Sequence, residues 1–180
     1  ADKGARFIRT CDAYNIPIVY VVDTPGYMPG VEQERRGLIH RGAKFAFAGV
    51  EATVPKVTLI VRKAYGGAYA VMGSKNLNGD LNFAWPTAQI AVMGAAAAAI
   101  TLQGKQLDAI DDPVQREAMK KMFMDFYDEN MTSPYVAAER GFIDAMIQPS
   151  ETRLALRRAL RQLETKREFD LPKKHTISPL

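Results

Sequence analysis

Lys56-Val57-Thr58-Leu59-Ile60-Val61-Arg62-Lys63-Ala64-Tyr65-Gly66-Gly67-Ala68-Tyr69-Ala70-Val71-Met72-Gly73 is the stretch whose reading decides the fold. Val57 to Val61 is β-branched and apolar, the composition of a strand buried on both faces. The chain turns at Gly66-Gly67 and continues as Ala68-Tyr69-Ala70-Val71-Met72, an apolar segment of helical composition. A strand feeding a helix through paired glycines leaves the first N–H groups of that helix without partners. Glycine has no Cβ to hold a ligand oxygen away from them. The turn therefore suits an oxyanion hole, where backbone donors stabilise charge that develops during reaction. Taken alone, a Gly-Gly in this place is more often only a permissive turn. It carries no serine, so it is not the elbow of a hydrolase, and it is not a phosphate loop.

Upstream, Ala5, Phe7, Ile8, Cys11 and Tyr14 recur at helical spacing between Asp2 and Asn15, with Cys11 as a core thiol. A helix that begins almost at the first residue points to a piece of a longer polypeptide. Ile16 to Val22 reads as a continuous buried strand. It runs into Asp23-Thr24-Pro25-Gly26-Tyr27-Met28-Pro29-Gly30, whose prolines and glycines impose a rigid loop. Loops at the carboxyl ends of strands are the usual ligand sites of α/β sheets. Glu32 to Val50 reads as one helix, and Glu32 and Glu34 complement its dipole without needing a catalytic role. Thr53-Val54-Pro55 ends that helix. The alternation of helix and strand predicts crossover connections and a mainly parallel sheet.

Downstream, a polar turn over Gly73 to Asp80 precedes two short extended pieces, Leu81 to Pro86 and Gln89 to Met93. Trp85 lies between them, with a core or edge role as the default. Gly94 opens an alanine-rich helix suited to close packing. Asp112-Pro113 is an N-cap with proline in the first turn. Val114, Ala118, Met119, Met122, Phe123, Phe126 and Tyr127 then form an apolar stripe, with Met119, Met122 and Met124 read as core filling. Ser133-Pro134-Tyr135 starts a short helix ending at Gly141, and Phe142 to Ile147 is extended. Ser150 is expected to cap a last helix, with Leu156, Ala159, Leu160 and Leu163 on one side. Leu171-Pro172-Lys173-Lys174-His175 reads as an irregular tail.

One domain over residues 1–180 accommodates all of this, with 150–180 its C-terminal helix and basic tail. The net charge of +4 lies wholly in that tail, because residues 1–149 hold sixteen charges of each sign. With no tryptophan or tyrosine there, the tail is a solvated face rather than a nucleic-acid surface. No apolar run is long enough to cross a bilayer, and no signal peptide opens the sequence. A single cysteine excludes an internal disulfide and fits a reducing compartment, so a cytoplasmic location is expected. His40 and His175 lie far apart, and no cluster has metal-ligand spacing. No metal site is expected.

Resemblance carries the reading further. Phe7-Ile8-Arg9-Thr10-Cys11-Asp12, Ile16-Pro17 and Asp23-Thr24-Pro25-Gly26 resemble the carboxyltransferase (beta) subunit of biotin-dependent acyl-CoA carboxylases of the acetyl- and propionyl-CoA type. So do Glu51 to Lys56, Arg62 to Tyr69, Ala84 to Gly94, Ile147-Gln148-Pro149 with Thr152-Arg153, and Lys173-Lys174-His175. The likeness runs through the whole chain in the family's order and is to the C-terminal half of that subunit.

What the resemblance implies is a crotonase-like (ClpP/crotonase) α/β fold of repeated β-β-α units. It implies that this half of a two-domain subunit receives carboxybiotin from a biotin carboxylase and carrier partner. The acyl-CoA is then bound by the N-terminal half of a neighbouring subunit within a homo-hexamer. The family's oxyanion hole falls on Gly67 and Ala68, whose amides would face the ureido oxygen of biotin, with Gly26, Tyr27, Gly66, Tyr69 and Ala70 around it. Three other readings stay open: a biotin-dependent decarboxylase subunit, a different crotonase-fold CoA enzyme, and a domain that mainly assembles the ring. The second would need acidic side chains beside the hole, and Gly66 to Met72 supplies none.

Overall fold

A computed structural model describes residues 1–168. The tail expected at Leu171 to His175 lies outside them. The order of elements is α1 (Asp2–Ala13), β1 (Ile18–Thr24), α2 (Val31–Arg35), α3 (Leu38–Glu51), β2 (Lys56–Tyr65) and α4 (Gly66–Ala70). There follow β3 (Leu81–Ala84), β4 (Gln89–Ala91), α5 (Ala95–Asp108), α6 (Pro113–Met131), α7 (Pro134–Glu139), β5 (Ala145–Met146) and α8 (Thr152–Gln162).

Every strand pair is parallel, as the alternation of elements predicts. β2 is the organising strand. β1 runs along one edge of it, pairing Ile18 with Lys56 through Thr24 with Ala64. The other edge is shared: β3 pairs with Val57 to Ile60, and β4 pairs with Lys63 to Tyr65. Lys56 to Ile60 of this central strand are buried on both faces without interruption, whereas Arg62 further along it is exposed. The last pairing, Tyr65 with Ala91, delivers the chain to Gly66 beside Val92.

Local chemistry secures the base of the sheet. Lys56 is 1% exposed, and its ammonium donates to the carbonyls of Gly49 (3.1 Å) and Ala52 (2.6 Å) at the end of α3. Asp12 Oδ1 accepts from the N–H groups of Thr53 (2.7 Å) and Val54 (3.2 Å), which joins α1 to the same corner. Lys166 donates to Asp80 (2.9 Å) and to the Val54 carbonyl (3.3 Å), bringing the chain after α8 back to this end. At Gly73, where φ is +72°, the carbonyl accepts from Thr58 Oγ1 (2.7 Å) and Asn82 Nδ2 (3.2 Å). A Cβ there would come within 2.5 Å of the Tyr20 ring, so only glycine fits.

Several expectations need correction. β1 is not buried on both faces: Ile18, Tyr20 and Val22 face the core, while Val19 and Val21 are exposed, so one face of β1 is left uncovered. The helix expected over Glu32 to Val50 is two, broken at Gly37, which takes φ +77° and opens α3. Phe7 and Tyr14 stand outside the α1 face that buries Ala5, Ile8 and Cys11. Met119 and Met122 are exposed and Met124 only half-buried rather than core filling. Of the expected stripe Val114, Ala118 and Phe126 are exposed too, so α6 packs on α5 without burying any residue. The last helix is not capped by Ser150: no side chain caps its first turn. The 3-10 turn just before it (Pro149–Glu151) carries a capping box instead, with Glu151 Oε2 accepting from the Gln148 N–H at 2.9 Å. Asp112 and Ser133 cap α6 and α7 as expected.

Tyr20 carries a testable consequence. Its ring packs edge-on against Phe45 at 6.5 Å between centroids, and its hydroxyl is buried with no hydrogen-bond partner. Burial pushes the phenol up to about 12, with the Cys11 thiol adding to the shift. The unfolded phenol ionises at its ordinary value of 10.0, so the chain loses stability as pH rises from there towards about 12. Each unit of that gap is worth about 1.4 kcal/mol. Tyr20→Phe gives up no hydrogen bond and should match the parent at neutral pH within about 1 kcal/mol. In urea melts between about pH 9 and 11 the variant should show a shallower alkaline decline. Identical slopes would refute the assignment.

Candidate active site

Gly66 follows β2 directly and takes φ +58°, a left-handed conformation open to glycine at little cost. Its neighbour is the Val92 carbonyl, which would lie 2.9 Å from a Cβ at this position. Two pairings therefore converge here, because the β2–β4 ladder ends one residue earlier at Tyr65 and Ala91. Gly67 is exposed, and with Ala68 it forms the first turn of α4. N–H groups in a first helical turn have no carbonyl four residues back within the helix to receive them.

Gly66, Gly67, Tyr69 and Ala70 line one cleft of about 460 Å³. Its far wall comes from Ile90 and Val92 on the β4 side and from Tyr127, Met131, Val136, Arg140 and Phe142 on α6, α7 and the turn after them. None of these distant residues was singled out as a site residue from the sequence. They lie some twenty to seventy-five positions from the turn: the pairing of β4 with β2 returns Ile90 and Val92, and the passage through α5 returns the residues of α6, α7 and the turn after them. Two anchors hold the wall: the Tyr127 hydroxyl donates to the Met93 carbonyl (3.2 Å), and Tyr65 is hydrogen-bonded to Gln89 (2.7 Å). The lining is mainly apolar, with Asn76 and Arg140 as its polar side chains beside the tyrosines. No carboxylate lines it among the described residues.

The other expected residues stand elsewhere around the turn. Ala68 is 7% exposed and Tyr69 8%, so the methyl group of the first and most of the ring of the second belong to the core. Burial raises the Tyr69 phenol, offset in part by a hydrogen bond with Asn82. Tyr27 does not line the cleft. It packs beside the turn from the loop after β1, where a Cβ on Gly67 would lie 3.6 Å from its ring. The same side chain presses on α3: a Cβ at Gly42 would meet its hydroxyl at 2.6 Å. Burial raises the Tyr27 phenol as well. Gly26, with φ +119° and open space where a Cβ would stand, lets the loop reach this position. The loop itself is tied to the sheet by Asp23, which accepts from Arg62 Nε (3.0 Å) and Nη2 (2.9 Å) and from the Lys63 N–H (3.2 Å). The Arg62 hydrogen bond, then that of Lys63, holds the Asp23 carboxyl below its ordinary value.

Among the described residues no group of His, Cys, Asp or Glu is arranged to hold a metal ion. No helix among them is long and apolar enough to cross a membrane. The chemical resources of the turn are thus backbone donors, tyrosine side chains, one guanidinium and apolar walls. That set can stabilise an anion and hold a partly apolar ring, but it contains no side-chain nucleophile.

Comparison with known proteins agrees with this inventory. The carboxyl transferase domain family matches residues 1–177. The biotin-dependent long chain acyl-coenzyme A carboxylase beta4 subunit of Mycobacterium tuberculosis is 55% identical over 100% of this chain and 34% of its own length. The propionyl-CoA carboxylase beta chain of Saccharopolyspora erythraea is 54% identical, over 100% of this chain and 33% of its length. The transcarboxylase 12S hexamer, solved with hydrolysed methylmalonyl-coenzyme A bound, superposes with a TM-score of 0.92 at 45% identity. That match covers 99% of this chain and 34% of the other. The chain spans about a third of the length of the curated relatives it matches. With the parallel sheet and the glycine turn in the family's order, the chain has the crotonase-like fold and belongs to the carboxyl transferase domain family.

Proposed function

We propose that this chain is the carboxybiotin-accepting half of an acyl-CoA carboxylase carboxyltransferase. The acyl-CoA is held by the N-terminal half of a partner subunit, and the intact assembly is a homo-hexamer served by a biotin carboxylase and biotin carrier. The observation that carries this reading is the turn itself: Gly66 with φ +58° and exposed Gly67 open α4 on a cleft without carboxylates. A hydratase-like crotonase enzyme needs acidic groups there, and the ring-assembly reading leaves the cleft without a use.

The residues present fit a bound biotin. The Gly67 and Ala68 amides would hold the ureido oxygen, and Gly66 keeps Cβ atoms out of the approach. Ile90, Val92 and Val136 give apolar walls for the sulfur-containing ring, and Tyr69 and Ala70 form the floor. Gly26 and Tyr27 close the side opposite the cleft and support Gly67. When bound, biotin supplies the carboxyl carrier and a ureido nitrogen able to take up the proton from the acyl α-carbon. The chain's own part is to hold negative charge on that oxygen, to orient the ring and to keep water away. No side-chain base is then required.

The division of labour is tested first. Supplied with carboxybiotin and an acyl-CoA, the purified 180-residue chain should give no product, and adding the N-terminal half should restore turnover. Robust carboxylation by the chain alone would end the two-half reading.

Ala68→Pro tests the donor. Position 68 is in the first turn of α4, where proline removes an N–H without breaking a bond inside the helix. Losing one such donor costs roughly 2.7–4 kcal/mol of transition-state stabilisation. In the assembled enzyme kcat should fall by about two to three orders of magnitude. Circular dichroism and melting establish that the variant is folded, and a folded variant of near-normal activity would overturn the role.

Ala70 is the proposed determinant of acyl chain length. The resemblance implies an aspartate at this place in propionyl-selective members, and alanine leaves a roomier, more apolar surface in the cleft that it lines. The long chain and propionyl-CoA relatives are almost equally similar, so overall identity does not choose between substrates. Each methylene buried beside Ala70 would contribute about 0.8 kcal/mol. Measured as kcat/KM across acetyl-, propionyl-, butyryl- and longer acyl-CoAs, the parent should tolerate chains beyond propionyl, and Ala70→Asp should shift preference to shorter ones. An unchanged ranking would show that Ala70 does not set the length.

A further inference from the structure

A second concavity, of about 650 Å³, runs along the seam between α1 and α3, on elements separate from the reaction cleft. Six basic side chains line it: Arg6 and Arg9 from α1, Arg36 from the end of α2, and His40, Arg41 and Lys44 from α3. The one carboxylate in its lining is Asp2, which pairs with both Arg41 and Lys44, the latter at 3.7 Å. Arg36 is paired with Glu32 (2.8 Å) and Arg9 reaches Glu51 at 3.8 Å, both acids outside the groove lining. The Arg6 guanidinium has no carboxylate partner among the described residues. Cations therefore outnumber the acids that answer them.

The packing beneath keeps the charges together. A Cβ at Gly4 would lie 2.7 Å from the Phe45 ring, so α1 rests directly on that side chain. Ala5, Ile8 and Ala48 bury the rest of the seam. Helices docked this closely hold the like charges on the two sides near one another, and like charges at short range repel. An anion in the groove reverses the sign of that interaction. A planar guanidinium donates two parallel hydrogen bonds to a phosphate, and arginine supplies four of the six basic groups here. Apart from Ala5 and Gly37 the lining is charged or polar, so nothing in it suits a base or an acyl chain. Its volume lies within the range of small-molecule sites and exceeds what one phosphate needs.

We propose that the α1–α3 groove is an anion site for an oligophosphate, free or carried by a nucleotide or coenzyme, separate from the cleft beside Gly67. The phosphates are the recognised group, with Asp2 holding Arg41 and Lys44 in position for them.

The test is calorimetric titration of the chain, in phosphate-free buffer of moderate ionic strength, with tripolyphosphate, ATP and coenzyme A in separate arms and sulfate as competitor. At least one phosphate ligand should bind stoichiometrically, and the arm of highest affinity identifies the source. Arg6→Ala with Lys44→Ala should weaken binding about tenfold or more, since each removed cation gave charge-assisted hydrogen bonds. Arg153→Ala with Arg157→Ala, exposed cations of α8 outside the groove, should leave affinity unchanged. Melting temperatures confirm that both double variants are folded. Arg6→Gln provides a second groove variant that leaves the Asp2 pairs intact and should also weaken binding. The proposal fails if no arm binds, if sulfate competes as well as the phosphates, or if the α8 variant loses as much affinity as the groove variants.

Discussion

A fully buried ammonium group fixes the geometry from which the rest follows. Burying a charged amine is costly unless its donors are satisfied. Lys56 meets the requirement with the carbonyls of Gly49 and Ala52, which the end of α3 leaves without partners of their own. Burial, then the nearby Lys166 charge, lowers the Lys56 pKa, while Asp80 and Asp12 oppose the shift. The bond pins α3 to the first residue of β2. From that fixed point β2 runs ten residues to Tyr65 between partners on both edges. Gly42, nearer the other end of α3, lies against Tyr27, and Tyr27 lies against Gly67. One constraint at the base of the sheet thus bears on the turn at its top.

The same construction explains what could be read from the sequence. β2 was legible because a strand buried on both faces carries a continuous apolar run, and Val57 to Ile60 are all buried, Thr58 with its hydroxyl donating to the Gly73 carbonyl. β1 has an equally apolar sequence but one uncovered face, and composition alone could not show that Val19 and Val21 point away from the core. Gly37 escaped notice because a glycine among helix-forming neighbours reads as a weak helical residue, and only its positive φ reveals a break. Ser150 looked like a cap because serine is the commoner residue there. The chain instead enters this helix through a 3-10 turn, Pro149–Glu151, which Gln148 and Glu151 cap, and Ser150 lies inside that turn. In α6 the stripe was real as a pattern, but a pattern does not say how much neighbouring surface exists to cover it.

Half of the candidate site was legible for a related reason. Paired glycines between a strand and a helix mark the place where backbone approaches something closely, and Gly66 does so at the Val92 carbonyl. The opposite wall had no local signature. Tyr127, Val136 and Arg140 are ordinary residues of amphipathic helices until the crossover through α5 returns them to the turn. Ala68 shows the limit in the other direction, since its sequence position suggested a group facing the ligand while its side chain lies in the core. This burial is compatible with a donor role for its amide, which would be held by the packing of its own methyl group.

The proposed site of backbone donors would also differ in how it is kept intact. Where a histidine or carboxylate acts, a single side chain and its pKa decide the chemistry. Here the phenols nearest the turn, Tyr27 and Tyr69, have an ordinary value of 10.0 that burial raises further, and neither changes charge as pH moves through neutrality. The quantity to be preserved is the direction of the first N–H groups of α4, and that depends on the φ of Gly66 and on what supports the helix from below. The Ser74 hydroxyl donates to the Ala70 carbonyl at the far end of α4 (2.9 Å), and Gly73 holds the exit against Thr58 and Asn82. A five-residue helix has too few internal hydrogen bonds to keep its own orientation. Its aim is set by β2, Tyr27 and the Gly73 corner together, so substitutions at any of the three can alter the turn without touching a residue that lines the cleft.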